Sequence, residues 1–556
     1  MSMLHNVHKG SEVIVETLRA LGVDHVFGLP GVHNLPIYDM LRDDTEIRTV
    51  TVRNESAASF MAQGYARLAW KPGVSLLAPG PGVTNALTGI AEAYIDSSPI
   101  VILSGGIKRT STGKGAIHDV DHLSIVKTVT KWCGKVEKPE EIQTLIVRAF
   151  SEASSGRMRP TFVETPLDVQ TAHLQTSPKA IEVPHRPIAN PRREEIGQIA
   201  KMLSSAENPV IIVGGGVLSS GATAELQTLS HELSIPVATT ITAKEVISDA
   251  SPLSLGLLND EVARAYVPKA DVVLAVGCRF AERSTSGWSL RVQGKLIQVD
   301  IDPSEIGRNY PAALGLVCDA KSFLDRFIRT QNHRKSSEEI RFREIGNLRR
   351  HRDAKYVGKL HSDEQPLKPQ RVMHALNQLL PHEAVIVCDS GNNAWWPMMF
   401  LESRHGRRFL FPSGNVSMGF ALPAALGAKC VSNNVVCITG DGGLMMQLAE
   451  LATAAQENLN VTVVVLNDNG YGAIRHYQYF NFGSRYAGVE LKNPDFARLA
   501  EAFDLIGISI QTCDELESSL KEAFESNKTT VLDVHVDPDE VALPDWIIKS
   551  FGEAKT

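Results

Sequence analysis

Two apolar runs, Val435-Val436-Cys437-Ile438 and Val461 to Leu466, each end at a glycine-bearing turn: Gly440-Asp441-Gly442-Gly443 after the first, Asn467-Asp468-Asn469-Gly470-Tyr471-Gly472 after the second. An apolar run, a glycine turn with one carboxylate and then a helix bring backbone N–H groups and an oxygen ligand to one point, and the paired loop sets more oxygens beside it. Leu444, Leu448, Leu451 and Ala455 recur at helical spacing, which predicts one helix that starts at the turn and carries an apolar stripe. Its amide end favours an anion, and Asp441 offers a hard oxygen to a cation bridging to that anion. Mg²⁺ suits this set, because it takes octahedral oxygen coordination from few protein ligands and retains phosphate oxygens. Gly-Asp-Gly alone would equally fit an ordinary strand-turn-helix with a capping Asp; the second loop separates the two readings.

The same alternation runs through the chain. Val13 to Leu21 has helical spacing closed by Gly22, while Val74 to Leu77 and Ile100 to Leu103 are short apolar runs followed by glycine or proline turns, the pattern of an α/β protein. At 556 residues the chain exceeds one core, and three domains are expected: 1–175, 190–332 and 369–556. A proline-punctuated linker (Pro178, Pro184, Pro187, Pro191) and a highly charged linker, 333–368, separate them. The middle domain holds Pro209-Val210-Ile211-Ile212-Val213-Gly214-Gly215-Gly216, Val272 to Gly277 and Leu296 to Asp302, which read as another parallel sheet. A net charge of -7 gives no reason to expect nucleic acid. Met1 to Gly10 lacks a signal-peptide pattern, and no apolar stretch reaches the ~20 residues of a membrane span, so a cytoplasmic location with small-molecule partners is expected. The seven cysteines are scattered without C-x-x-C and read as buried thiols.

The paired loops resemble the thiamin diphosphate signature, and nearly the whole chain resembles the acetolactate synthase and 2-oxo acid decarboxylase superfamily. The resemblance implies three doubly wound parallel-sheet domains: pyrimidine-binding, central and diphosphate-binding. It implies thiamin diphosphate with Mg²⁺, the metal held by Asp441, Asp468 and the carbonyl of Gly470. Gly440, Gly442, Gly443, Tyr471 and Gly472 would then line the cofactor. Asp468 stands where many members have Asn, which adds a negative charge at the metal.

Glu55 follows the run Thr49 to Val52 and opens the small-residue helix Ala57 to Arg67, a place where a carboxylate is expected to be buried. By the resemblance it bonds N1′ of the cofactor pyrimidine, where an acid in apolar surroundings shares its proton and promotes the imino tautomer. Asn54 stands where members more often have His. Gly82 and Asn85, in Pro79-Gly80-Pro81-Gly82-Val83-Thr84-Asn85, would lie near the pyrimidine. His33, in the Gly28 to Asn34 turn, would face substrate. His118 lies in a loop where acetolactate synthases carry Gln and several decarboxylases carry His, which makes it a proton donor or carboxylate partner. Asn392 in Asp389-Ser390-Gly391-Asn392-Asn393 is a cofactor contact, and Met418 matches the family's apolar wedge that keeps the cofactor bent. Gly277-Cys278-Arg279-Phe280-Ala281-Glu282-Arg283 resembles the synthases' G-x-R-F-x-x-R, where arginine binds an acceptor carboxylate or a flavin. Arg279 is the substrate candidate, and FAD stays open. Tyr477 stands where acetolactate synthases typically place the Trp that shapes acceptor choice.

The activity implied is decarboxylation of a 2-oxo acid with carboligation to a second carbonyl. One alternative is a non-ligating decarboxylase of a longer 2-oxo acid such as a guanidino-oxo acid, which Gly31-Val32-His33, the Gly115 to Asp119 loop and Arg308-Asn309-Tyr310-Pro311 also resemble. Others are a non-catalytic binding or assembly member of the fold, and an acyl-CoA lyase or decarboxylase with a nucleotide site in its middle domain. Because the family builds one site from residues like Glu55 and Asp441 on different subunits, a homodimer or homotetramer is implied, with any regulatory subunit undefined.

Overall fold

The structure is a computed structural model that describes residues 8–174, 181, 190–330 and 338–542. Pro178, Pro184 and Pro187 of the first expected linker, and 333–337 of the second, lie outside the described residues. The strands in chain order are β1 (His8–Lys9), β2 (His25–Gly28), β3 (Arg48–Thr51), β4 (Gly73–Leu77), β5 (Ile100–Gly106), β6 (Trp132–Lys135), β7 (Thr161–Pro166) and β8 (His173–Leu174). Then come β9 (Pro209–Val213), β10 (Val237–Thr239), β11 (Ser254–Leu257), β12 (Val272–Val276), β13 (Lys295–Asp300) and β14 (Leu314–Val317). The last group is β15 (Val385–Cys388), β16 (Arg408–Leu410), β17 (Val435–Gly440), β18 (Thr462–Asn467), β19 (Ile506–Ile510) and β20 (Thr530–His535).

They form three six-stranded parallel sheets, and β1 pairs antiparallel with β8. Every residue of β4, β5, β9, β12, β17 and β18 is buried, as a sheet covered by helices on both faces requires. The first sheet is ordered β3-β2-β4-β5-β7-β6 and the third β16-β15-β17-β18-β20-β19, the same order counted within each sheet. The middle sheet, β11-β10-β9-β12-β13-β14, has the arrangement associated with dinucleotide binding. Each order reverses inside the sheet, between β2 and β4, β9 and β12, and β15 and β17. Connections diverge there and leave a crevice at the carboxyl ends of the strands.

The first and third sheets are joined by helices Glu55–Ala69 and Ala421–Lys429, which share one apolar core and meet edge to face at Phe60 and Phe420, 5.6 Å between centroids. Backbones touch at this crossing: a Cβ at Gly64 would lie 2.1 Å from the Ala424 carbonyl oxygen, and one at Gly427 would lie 2.0 Å from that of Met61.

Two local expectations change. The stripe from Leu444 to Ala455 is divided between helices Asp441–Met446 and Glu450–Glu457, because the break turns the Glu450 carboxylate onto the N–H groups of Arg53 and Asn54, both 3.0 Å away. The charged stretch 333–368, expected as a linker, carries helix Glu338–Ala354, which packs on the middle sheet. Ile345 is its fully buried apolar anchor, and guanidinium groups replace the missing stripe: Arg341 donates to the carbonyls of Ser234 and Glu207, both at 2.8 Å, and Arg349 to that of Ser251 at 2.7 Å. Among the described residues no helix is long and apolar enough to cross a membrane.

Candidate active site

At the reversal of the third sheet, β17 ends at Gly440 and hands the chain to Asp441. One oxygen of the Asp441 carboxylate accepts the Gly470 N–H at 2.9 Å and the Asn493 amide at 2.5 Å. Asn467 turns down into the sheet, donating to Asp533 at 2.8 Å. Asp468 is left beside Asp441 with its Oδ1 buried and without a hydrogen bond. Burial, and next the charge of Asp441, push the Asp468 carboxyl up to about 7; burial raises Asp441 as well. Two acting carboxylates, an orphaned oxygen and a loop carbonyl are a donor set that fits a hard divalent cation such as Mg²⁺. The surrounding glycines leave no room for side chains: a Cβ would meet Tyr471 at 2.6 Å from Gly442, Asp468 Oδ2 at 2.1 Å from Gly472, and the Asn393 amide at 2.4 Å from Gly440. Asn392 Oδ1 is likewise buried and unpaired.

A residue that carried no role in the sequence reading organises this end of the sheet. Asp389, following β15, accepts from the N–H groups of Ser390 (2.7 Å) and Gly419 (2.9 Å) and from the Thr439 hydroxyl (3.0 Å). Burial pushes it up to about 6. It ties Met418-Gly419 to the Gly440 turn, and its signal was its place directly after an apolar run.

At the reversal of the first sheet, Glu55 is the first residue of its helix and is buried, 8% exposed, as expected. Asn54 caps the helix by accepting the Ser56 N–H at 2.9 Å. Asn85 donates to Glu55 at 3.0 Å, and a Cβ on Gly82 would sit 3.6 Å from the other carboxylate oxygen. His33 and His118 face each other, 5.4 Å between ring centroids. Burial, and then the charge of His118, lower His33. The third domain reaches this turn through Glu450 and through Gln447, which donates to the Ser56 hydroxyl at 2.8 Å.

Met418 is half-buried on a segment held from the first domain. Glu92 accepts the N–H groups of Asn415 (3.3 Å) and Ser417 (2.8 Å), while Asp96 accepts the Ser413 hydroxyl at 2.6 Å. Burial, then the neighbouring Asp96, push Glu92 up to about 7.

The middle sheet holds what the sequence reading missed. At the β9/β12 reversal lies a cavity of about 860 Å³ lined by Gly215, Thr240, Arg279, Asp300, Ile301 and Asp319 among others. A Cβ on Gly214 would lie 1.9 Å from the Gly277 carbonyl oxygen, so the two turns close on each other backbone to backbone. Three consecutive glycines after an apolar strand were the available signal. Arg279 lies in this cavity and donates to the Ile95 carbonyl at 2.5 Å. Burial raises Tyr477, with the charge of Arg283 opposing and that of Glu282 adding to the shift; Arg283 lies 4.9 Å from the Trp395 ring centroid, and burial pushes it down to about 10.

Two sheets of one strand order, one presenting Glu55 beside Asn85 and the other Asp441 with Asp468 among close-packed glycine turns, have the organisation of a thiamin diphosphate-dependent enzyme. Family models match in the same sequence: residues 8–125 with the thiamine pyrophosphate enzyme N-terminal TPP binding domain, 196–327 with the central domain, and 389–534 with the C-terminal TPP binding domain. The chain is 36% identical to a probable acetolactate synthase large subunit of Methanocaldococcus jannaschii over 96% of this chain and 93% of that one. It is 34% identical to the acetolactate synthase large subunit of Haemophilus influenzae and to the acetolactate synthase isozyme 3 large subunit of Escherichia coli, over 96% of each chain. The protein therefore belongs to the thiamine pyrophosphate enzyme family, on the branch of the acetolactate synthase large subunits.

Proposed function

We propose that this enzyme decarboxylates a 2-oxo acid and ligates the remainder to a second carbonyl, as acetolactate synthase does with two pyruvates. The observation that carries this reading is the division of carboxylates between matched sheets: Glu55 beside Asn85 at one reversal, Asp441 with Asp468 at the other. Asp441, Asp468 and the Gly470 carbonyl would hold Mg²⁺. The turns containing Gly440, Gly442, Gly443, Asn392, Tyr471 and Gly472 would take the diphosphate, and Met418 would support the bent cofactor. Bound thiamin diphosphate supplies a nucleophilic carbon and an acceptor for the electrons released with CO₂. Glu55 holds a proton at N1′ of the pyrimidine, and Asn85 orients that carboxyl through its hydrogen bond. His33 and His118 stand where an imidazole can donate a proton or bind a carboxylate. Arg283, which lines the central cavity together with Arg279 and whose charge acts on Tyr477, would receive the second substrate's carboxylate with Tyr477.

That cavity, with its strand order and glycine turns, supports an adenine dinucleotide in the middle domain, FAD by the family resemblance; flavin absorbance in the purified protein tests this. A second copy of the chain is part of the reading. Val32 and Ile117 beside the histidines, and Met445 and Met446 at the end of the Asp441–Met446 helix, are exposed apolar side chains that a homodimer would cover. The relatives are named large subunits, which supports a smaller partner chain as well. Incubation with pyruvate, thiamin diphosphate and Mg²⁺ should yield acetolactate without acetaldehyde. Acetaldehyde alone would turn the reading into a plain decarboxylase, and absence of CO₂ release from any 2-oxo acid would overturn it.

A further inference from the structure

His122 and Glu164 belong to none of the motifs above, yet both are buried, at 2% and 4% exposure, behind the Pro79–Gly82 turn. The Gly80 N–H points at His122 Nε2 across 2.7 Å, and His122 Nδ1 lies 2.8 Å from Glu164 Oε2. An amide N–H can only donate, so Nε2 must present its lone pair; the ring proton of the neutral imidazole then sits on Nδ1 and is donated to Glu164. The second Glu164 oxygen faces Lys135 at 3.3 Å and leaves no space at Gly106, where a Cβ would lie 2.9 Å from it.

The other end of the same peptide unit is also held, since His118 Nδ1 donates to the Pro79 carbonyl at 2.9 Å. Two histidines four positions apart thus grip one peptide by its C=O and its N–H. The grip is needed because Gly80 is left-handed, φ +67° and ψ -117°, and a turn of that kind can flip. Directly after it begins helix Pro81–Ile95, whose first turns bring Gly82 and Asn85 to Glu55.

We propose that His122, oriented by Glu164, is a positioning residue that fixes the Pro79–Gly80 peptide and through it sets Asn85 and Gly82 against Glu55. The proposal rests on the reading of Glu55 as the group that meets the cofactor. Two substitutions separate the ring nitrogens. His122→Asn keeps a donor for Glu164 where Nδ1 stands but cannot reach Gly80, whereas His122→Gln places an amide oxygen near the Nε2 position. In the Asn variant the Gly80 amide should exchange with deuterium at least ~10-fold faster in the cofactor-free chain, and kcat should fall about 100-fold, the scale of a ~1 Å misplacement at a reacting centre. The Gln variant should keep both within a few-fold of wild type. Wild-type turnover in the Asn variant, whatever its exchange rate, overturns the proposal, and so does a Gln variant as impaired as the Asn one. Should the Asn variant fail to fold, the Gln variant decides: protected Gly80 with near-native kcat supports the proposal, and an unprotected Gly80 with native kcat overturns it. Calorimetric binding of thiamin diphosphate to wild type runs alongside: no binding there sinks the functional reading and leaves the exchange result standing.

Discussion

The first and third sheets have one strand order and open at the same reversal, but the groups they place there differ in kind. Glu55 is bonded by the Asn85 amide and approached by Gly82, the setting of a group that handles a proton. Asp441 and Asp468 act on each other, which is tolerable when a cation lies between them. One topology therefore supplies a place, and the few residues after each strand decide whether it serves as an acid or a metal cradle.

Breaking that division should give the largest effect. Glu55→Gln is expected to lower turnover by ~10³ or more while thiamin diphosphate still binds, whereas Asp441→Asn should weaken cofactor and Mg²⁺ binding together; calorimetry and steady-state rates tell the two apart. Mixed and reassembled, these two inactive variants should recover roughly a quarter of the wild-type sites if each site draws Glu55 and Asp441 from different copies. No recovery would place both halves in one chain.

The joint between the two sheets comes next. Gly427→Val puts a side chain against the Met61 carbonyl and should destabilise by about 1–3 kcal/mol or more in denaturant unfolding. A smaller effect is expected from Glu92, raised from 4.5 to about 7. Such a group contributes stability below its unfolded pKa that is lost as pH rises through its folded one, so the wild-type melting temperature should drop between pH 5 and 8, and Glu92→Gln should flatten that slope. An unchanged slope would remove Glu92 as its cause. Asn54→Ala, which removes only a helix cap, should cost about 1 kcal/mol.

Legibility followed how local each feature is. The buried strands and the Asp441 and Asp468 loops are contiguous, so their chemistry could be read along the chain. The burial of Glu55 needed only the strand before it, whereas its role came from the family resemblance. Helix Glu338–Ala354 was hidden because its packing uses arginines on carbonyls in place of an apolar stripe. The central cavity was hidden because strand ends far apart in sequence line it. Arg279 and Arg283 share one motif and both line the central cavity, but only the fold shows that Arg279 bonds the Ile95 carbonyl while Arg283 lies over Trp395. His122 meets Glu164 and Gly80 across 42 positions each, which no local pattern encodes.

The crossing of helices Glu55–Ala69 and Ala421–Lys429 also bears on how the chain is made. The first helix is buried along nearly its whole length, and part of what buries it belongs to the last third of the protein. During synthesis at ~5–20 residues per second, that face waits on the order of tens of seconds for its cover. The uncovered face is then expected to be sticky, and a truncation that stops before residue 421 should aggregate rather than persist as a folded fragment.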